Sequence, residues 1–340
     1  MKLTKKLTLI CAVLGLVLST ASAWADGDSH GDSHGVRGKL LASGLMGTSG
    51  GTLGPDGALY VTEGAIGQVT RVDIASGRTR TIAIGLPPSL IGLGGAIDVA
   101  FIGKTPYVLV TLVGDPLFGG NRLDGIYRIE NRRNYSLLAD LGTYAQEHPP
   151  EPGLFPYFLA NGLQYALQTV DDGFLVSDGH HNRIYHVTLD GDISVVKAFG
   201  DVVPTGMAAT ADRVYLAETG AVPHEPGTGK VVSFDMLDPD ATRVVAAGVS
   251  MIVDVEFGPH GELFALSQGD FGGGDPGAPA SPNTGRLLRV NSDGSFSVIV
   301  DGLDRPTSLD FSCDTALVVT LTGEVWKYKG VGDRCDRDDD

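Results

Sequence analysis

Hydrophobic and polar positions alternate along most of this chain, in short runs that tight turns separate. The clearest example lies between residues 161 and 196. Its four apolar runs are separated by the turn signals Asp171-Asp172-Gly173, Gly179-His180-His181-Asn182 and Asp190-Gly191. Alternation with a period of two between such turns predicts β-strands, and connections this short predict that neighbouring strands are antiparallel. The stretch therefore predicts a four-stranded antiparallel meander.

The same pattern recurs along the chain at spacings of about 40 to 55 residues. Six copies are recognisable, and each contains one apolar run that follows a turn. These runs are Leu59–Glu63, Tyr107–Thr111, Phe174–Asp178, Val214–Glu218, Leu263–Leu266 and Ala316–Thr320. Repeats of four short strands at this spacing are typical of propeller blades arranged around a central channel.

One end of the repeat array lacks a strand, and the other end carries an additional one. The sixth copy has three strands before the C-terminal tail, whereas residues 38–45 form a strand before the first copy. That strand resembles fourth strands such as residues 297–303, since both end in Gly-Leu after an apolar run. We therefore predict an all-β fold, a six-bladed β-propeller of four-stranded antiparallel blades over residues 37–331. The N-terminal strand completes the last blade and closes the ring, which leaves only short strand edges exposed.

Residues 1–25 have the features of a secretory signal peptide and are excluded from the fold. Three lysines are followed by an apolar run from Leu7 to Leu18 and by Ala-x-Ala cleavage patterns that end at Ala25. The run is short for a membrane-spanning helix, so cleavage is favoured over anchoring. We therefore expect a secreted or periplasmic protein that has no membrane contact after cleavage.

Two segments outside the repeats have low sequence complexity. Residues 26–36 contain Gly-Asp-Ser-His twice, and residues 332–340 form an acidic tail. Both compositions predict solvated, disordered chain. Weak metal capture by His30 and His34 is the alternative for the first segment, although so short a tract offers no preorganised geometry.

The charge and the cysteine content limit the possible partners. The formal net charge of −16 becomes −19 when the three lysines of the signal peptide are removed. Such a chain is unsuited to nucleic acid or to anionic membrane surfaces, because both carry negative charge. The mature chain retains Cys313 and Cys335. In an oxidising compartment we predict a disulfide between them that joins the tail to the last repeat.

Several segments resemble known propeller families. The turn in residues 178–184 is similar to the turn of NHL-type repeats. A larger set resembles the ScyD/ScyE family, exported propeller proteins first associated with biosynthesis of the pigment scytonemin. Its members here are residues 85–88, 176–184, 203–206, 215–220 and 248–257. The chain departs from that family at residues 161–163, which read Asn-Gly-Leu where Asn-Pro-Tyr is usual. The resemblance implies an exported propeller, but a shared fold does not imply pigment chemistry.

A more distant resemblance, to the gluconolactonase/senescence-marker-protein family, bears on catalysis. Residues 160–163 are similar to the Ser-Asn-Gly segment of that family, in which a Glu, an Asn and an Asp hold a divalent metal at the channel mouth. Only Asn161 carries over. Thr205 stands where the Asp belongs, and the first blade offers residues 49–51, Ser-Gly-Gly, where the Glu is expected. A hard cation needs several oxygen ligands, so lactonase activity is disfavoured.

Polar residues at equivalent strand positions are candidates to face the channel. Alignment of the first strands places Asp98 and Asp254 together, with Gly50, Gly162, Gly206 and Ser308 in the other blades. Alignment of the second-strand ends groups Glu63, Asp178 and Glu218. The predicted ligand-binding set at the channel mouth adds Asn161, His180 and His181 to these carboxylates. The alternative is that each of them caps a turn or bonds the backbone of a neighbouring blade.

Two functional hypotheses follow. The first is an accessory binding protein that presents one face of the ring to a small-molecule metabolite or to an exported protein, as a monomer. The second is an exported enzyme of the lactonase, coupling or lyase type with a divalent cation, such as calcium, at the channel mouth. Its candidate ligands are Glu63, Asn161 and Asp254.

Overall fold

The computed structural model describes residues 35–151, 158–274 and 277–332. Its 24 strands form six antiparallel four-stranded sheets. Blade 1 contains β2 (Thr48–Leu53), β3 (Leu59–Glu63), β4 (Gln68–Val72) and β5 (Thr79–Ile84). Blade 2 contains β6 (Gly95–Ile102), β7 (Thr105–Thr111), β8 (Gly125–Asn131) and β9 (Asn134–Asp140). Blade 3 contains β10 (Gln164–Val170), β11 (Gly173–Asp178), β12 (Arg183–Thr188) and β13 (Ile193–Ala198).

The second half of the ring repeats this order. Blade 4 contains β14 (Pro204–Ala209), β15 (Arg213–Glu218), β16 (Gly229–Asp235) and β17 (Arg243–Val249). Blade 5 contains β18 (Ile252–Phe257), β19 (Leu263–Ser267), β20 (Gly285–Val290) and β21 (Phe296–Leu303). Blade 6 contains β22 (Pro306–Ser312), β23 (Thr315–Thr320), β24 (Val325–Lys329) and β1 (Arg37–Ala42). The predicted six-bladed propeller is therefore confirmed.

Ring closure follows the predicted scheme. Strand β1 pairs antiparallel with β24, with Gly38 opposite Tyr328, so the first strand of the chain is the outermost strand of the last blade. Two short helices interrupt the loops, a 3-10 turn at Pro116–Phe118 and α1 at Leu141–Glu147. No helix in the described part of the chain is long and apolar enough to cross a membrane.

The hydrophobic core is divided among the six junctions between blades. Strand β11 shows why, because all six of its residues are buried. Phe174 and Val176 pack toward blade 2, whereas Leu175 packs toward blade 4. Alternate side chains of a strand point to opposite faces of the sheet. An interior strand of a blade is therefore apolar on both faces, and each blade depends on its two neighbours.

Every innermost strand has a register shift against its second strand, close to its start. Such β-bulges bend a strand and redirect the residues that follow. Asn182 adopts a φ of 52°, a left-handed conformation that asparagine tolerates, in the turn predicted between the second and third strands of blade 3. Cys335 lies outside the described residues, as do the signal peptide, most of the Asp/His arm and nearly all of the acidic tail.

Candidate functional site

One face of the disc carries most of the irregular chain. Because neighbouring strands are antiparallel, the connections between second and third strands lie on the same face as the connections between blades. We call this the loop face. Long connections extend there from blades 2, 4 and 5, and their described residues are 112–124, 219–228, 268–274 and 277–284. The segment between blades 2 and 3 adds α1 and residues 158–163.

Asp178 is the centre of a buried polar network on this face. Its Oδ1 accepts backbone N–H groups from Leu163, His180 and His181 at 2.9 to 3.1 Å. Its Oδ2 accepts the hydroxyl of Tyr185 at 2.9 Å and the amide of Gln164 at 3.2 Å. Burial opposes ionisation, but the adjacent His181, these N–H groups and Arg183 together lower the pKa of Asp178 below its ordinary value. The carboxylate thus fixes the turn that follows β11.

The two adjacent histidines fold inward rather than into solvent. His180 Nε2 accepts the N–H of Leu159 at 2.9 Å, and burial lowers the pKa of His180 to about 4. His181 Nε2 lies 2.8 Å from the carbonyl of Leu159, and its Nδ1 lies 2.9 Å from the guanidinium of Arg183. These contacts fit protonation at Nδ1 for His180 and at Nε2 for His181. Both rings hold residues 158–161 against blade 3.

Asn161 belongs to the same cluster and bonds two acids that the sequence analysis missed. Its backbone N–H donates to Asp115 Oδ2 at 3.1 Å, and its Nδ2 donates to Asp124 Oδ2 at 2.6 Å. Its Oδ1 accepts the amide of Gln146 at 2.6 Å. Burial, with a contribution from the charge of Asp115, raises the pKa of Asp124 to about 6. Both acids lie in the insertion of blade 2, where no strand periodicity indicates which way a side chain points.

Glu63 and Glu218 occupy equivalent strand ends in blades 1 and 4, apart from this cluster. The Oε1 of Glu63 accepts from the side chains of Gln68 and Thr70, each at 2.6 Å, and its Oε2 accepts the N–H of Met46 at 2.9 Å. Glu218 lies 3.0 Å from the ammonium of Lys230. Burial raises the pKa of Glu218, and Lys230 partly opposes this effect. Each glutamate therefore ties the end of its second strand to the third strand of its own blade.

Asp98 and Asp254 lie in the innermost strands β6 and β18 and connect neighbouring blades. Asp98 Oδ2 accepts the N–H of Leu167 in blade 3 at 2.7 Å, and Asp254 Oδ2 accepts the N–H of Leu309 in blade 6 at 2.8 Å. The second oxygen of each accepts the N–H of its own following residue. Burial raises the pKa of Asp98 to about 7 and raises that of Asp254 well above its ordinary value.

Two further channel carboxylates were missed. Asp310 Oδ2 accepts the N–H of Leu53 in blade 1 at 2.6 Å, so it bridges blades 6 and 1 in the same way. Glu256 lies two residues beyond Asp254, and its Oε1 accepts the N–H of Phe257. Burial, together with the charge of Asp310, raises the pKa of Glu256 well above its ordinary value. The period of two along β18 and β22 would have identified both residues.

The structure brings together some predicted residues and separates others. Asn161, Asp178, His180 and His181 form one cluster between blades 2 and 3. The remaining four lie elsewhere, at the strand ends of blades 1 and 4 and in the channel wall. Across the described ranges, no group of three or more His, Cys, Asp or Glu side chains is arranged to hold a metal ion. One alignment was wrong: Ala166, opposite Ser177, is the blade 3 equivalent of Asp98, rather than Gly162.

Known proteins resemble this chain in fold. No family model matches it, and no curated protein matches its sequence. A gluconolactonase from Xanthomonas campestris has 12% identity and a TM-score of 0.61, over 92% of this chain and 99% of that one. The PQQ-bound aldose sugar dehydrogenase from Streptomyces coelicolor has 13% identity and a TM-score of 0.53, over 88% and 99%. Virginiamycin B lyase from Staphylococcus aureus with quinupristin has 11% identity and a TM-score of 0.52, over 86% and 98%. At such identities the similarity shows the propeller fold alone.

Proposed function

We propose that this chain is an exported accessory propeller, similar to the ScyD/ScyE proteins, that binds a small-molecule metabolite through its loop face. The alternative partner for the same function is an exported protein. The observation that carries the proposal is that the candidate acids are already engaged: both oxygens of Glu63, Asp98, Asp178 and Asp254 accept hydrogen bonds from the protein's own donors. The side chains of these residues therefore hold strand ends, turns and neighbouring blades in place.

Hydrogen bonds hold the loops of the loop face in place, and this order supports binding. The insertion of blade 2 is fixed to residues 158–163 through Asp115, Asp124 and Asn161, so these loops form one ordered surface. Preorganised loops on a rigid scaffold lose little conformational entropy when a ligand binds. Two structural relatives, the PQQ-bound aldose sugar dehydrogenase and virginiamycin B lyase with quinupristin, hold small organic molecules. A nidogen/laminin complex is a further structural relative, at 13% identity and a TM-score of 0.51, so a protein partner has a precedent as well, and the choice of a metabolite rests on the ordered loop face.

The alternative is an exported enzyme of the lactonase, coupling or lyase type with a divalent cation. The observation in its favour is the oxygen-rich group of Asp115, Asp124 and Asn161. The present contacts do not fit a cation there, because Asn161 directs its Nδ2 donor at Asp124 and its Oδ1 accepts from Gln146. Nor do Glu63, Asn161 and Asp254 share a hydrogen-bonding partner, and both acids already accept hydrogen bonds from backbone N–H groups or neighbouring side chains. An enzyme of this type requires these side chains to rearrange.

A metabolite-library thermal-shift screen on the mature protein tests the proposal. We expect at least one compound to raise the melting temperature saturably and to be recovered unchanged, because a binding protein does not consume its ligand. Consumption of that compound would favour the enzyme. Elemental analysis, and calcium titration followed by melting temperature, test the hypothesis of a metal-dependent enzyme. A bound cation, or a calcium-induced increase of several degrees, would contradict the accessory assignment; failure of every compound to bind would contradict both.

A further inference from the structure

Four basic side chains form one surface on the last blade. Strand β1 contributes Arg37 and Lys39, and β24 contributes Lys327 and Lys329. Arg37 lies directly opposite Lys329, and Lys39 lies directly opposite Lys327. Residues two apart on a strand share a face of the sheet, and so do directly opposite residues, whose Cβ atoms are about 5 Å apart. All four side chains therefore project from the same face, and we call them the basic quartet.

The basic quartet has no ion-pair partner in the described part of the chain, where no acid pairs with any of its members. Lys327 donates instead to the carbonyl of Ile74 in blade 1, at 2.9 Å. Burial and the charges of Lys39 and Lys329 lower the pKa of Lys327, whereas Asp73 in blade 1 opposes this effect. Like charges directly opposite each other on a sheet are destabilising, so the quartet alone weakens the pairing of β1 with β24.

Charged groups around the basic quartet offset it only in part. Asp73 already accepts the N–H and the hydroxyl of Ser76, and Asp314 accepts the hydroxyl of Thr315. Arg78 lies in the same turn as Asp73 and adds a further positive charge. Lysine on an exposed strand edge discourages pairing with other chains, which accounts for the charges of β1. It does not account for those of β24, because β24 is an interior strand of its sheet.

The acidic tail begins at this end of the last blade. Its first residue, Gly332, follows Lys329 by three positions and lies beside Pro259, on the blade 5 side of the sheet. Residues 333–340, which lie outside the described chain, contain five aspartates and two arginines, with consecutive aspartates at 338–340. Eight residues reach up to about 26 Å, and neighbouring strands are about 5 Å apart. The tail is therefore long enough to cross the end of blade 6 to the basic quartet.

A second acidic segment, residues 26–34, precedes β1 and has to be compared with the tail. It contains three aspartates and no lysine or arginine. Cleavage after Ala25, as the sequence predicts, would add a terminal ammonium group and leave a net charge of −2. The five aspartates and two arginines of residues 333–340 give −3, and their acids are more closely spaced. Charge complementarity therefore favours the tail as the occupant.

We propose that the acidic tail, through the aspartates at 338–340, binds the basic quartet of its own chain and holds the closing strand β1 on β24. Ion pairs with the tail would replace repulsion by attraction at the two strands that close the ring. Exposed ion pairs are individually weak and are screened by salt, but attachment to the same chain gives the tail a high effective concentration. The inference goes beyond the proposed binding function, because Arg37 and Lys329 lie at the face of the disc opposite the loop face.

Zero-length crosslinking tests the contact directly. A carbodiimide joins a lysine amine to a carboxylate that touches it, with loss of water. We expect such links between the three lysines of the basic quartet and the aspartates of the tail, within single chains. They should disappear in about 1 M salt, where the Debye length is about 3 Å. Lys197 and the exposed Asp240, 3.9 Å apart, are the positive control at low salt, and Lys104, exposed in a blade 2 turn of the same face of the disc, is the negative control.

A pair of substitutions gives a second readout, whose sign depends on the contact. In the wild-type chain, Lys39→Gln removes an attraction to the tail and should lower the melting temperature by about 1 to 3 °C at low salt. In the triple variant Asp338→Asn/Asp339→Asn/Asp340→Asn, the same substitution removes only the repulsion between Lys39 and Lys327 and should raise the melting temperature. Lys104→Gln is the matched control and should change neither protein.

Several results would overturn the inference. An increase in melting temperature with Lys39→Gln in both backgrounds would show that the quartet is only repulsive. Links to residues 26–34 would assign the quartet to the N-terminal segment, and links between two chains would assign it to a second copy. Absence of any link to the tail, in a sample where Lys197 and Asp240 are joined, would exclude the contact. None of these results depends on ligand binding at the loop face, so the two proposals fail independently.

Discussion

Asp98 offers a direct test of how the channel wall stabilises the ring. Its two oxygens accept the N–H groups of Val99 at 2.8 Å and of Leu167 at 2.7 Å, the second across the junction of blades 2 and 3. Burial, with a smaller contribution from Asp310, raises its pKa from the ordinary 3.8 to about 7. The variant Asp98→Asn keeps the size of the side chain and cannot ionise. We expect it to reduce the dependence of stability on pH.

The sign follows from the raised pKa. Below about pH 4 the aspartate is protonated in both folded and unfolded chains, and its pH-linked contribution is fully present. As the pH rises toward 7, the unfolded chain ionises first, so the folded protein loses stability; above the folded-state pKa the loss levels off. The change from 3.8 to about 7 corresponds to about 4 kcal/mol as an upper bound.

Urea unfolding measured between about pH 5 and about pH 7.5 is the assay. Wild type should lose more stability over this interval than Asp98→Asn, and the difference between the two curves reports mainly Asp98. Groups that do not interact with Asp98, such as His180 with its opposite sign, occur in both proteins and cancel, whereas Asp254 contributes in the same direction as Asp98, because the charge of Asp98 helps to raise its pKa. Asp293→Asn is the control, because Asp293 lies in an exposed turn and its pKa is lowered by bonds from Ser295. Parallel curves for wild type and Asp98→Asn, or a steeper curve for the variant, would refute the reasoning.

Two further substitutions test the close packing of the site. Asp178→Asn should destabilise the protein by about 3 to 5 kcal/mol, because its amide group would face donors that now bond a buried carboxylate; a melting temperature like that of the exposed control Asp172→Asn would contradict this role. Gly206→Ala should cost about 1 to 3 kcal/mol, because the new Cβ would overlap the carboxylate of Asp254 and lie 2.6 Å from its Cα. Gly200→Ala meets nothing within 4 Å and should be neutral, so equal unfolding midpoints for both glycine variants would disprove the steric argument.

The fold was predictable because it depends on local patterns that repeat. Alternation, turn residues and the additional strand at residues 38–45 are each visible within a few residues. The alignment of Asp98 with Asp254 was correct for the same reason, since both follow an apolar residue early in an innermost strand. In blade 3 the alignment was wrong. A β-bulge between Gln164 and Leu167 and the long connection before β10 separate Gly162 from the position it was given.

The candidate site was less predictable, because it depends on contacts between blades. Nothing in the sequence near Asn161 indicates that Asp115 and Asp124 lie beside it, since an irregular insertion of blade 2 supplies both. Whether a carboxylate binds a ligand or a backbone N–H is decided by its neighbours in space. Asp178 illustrates this, since Leu163 and Gln164 reach it from the start of β10 and Tyr185 reaches it from β12 only when blade 3 has folded.

The pairing of β1 with β24 has a consequence for the order of folding. Blades 1 to 5 are each built from consecutive strands, so they can form as soon as their own residues are available. The last blade joins strands from opposite ends of the sequence, and its closure loop encloses nearly the whole domain. Contacts at such separation form late, because a large loop entropy must be overcome. An unclosed ring would expose the apolar sides of blades 1 and 6. We therefore expect the chain to need a chaperone until β24 has been synthesised and has paired with β1.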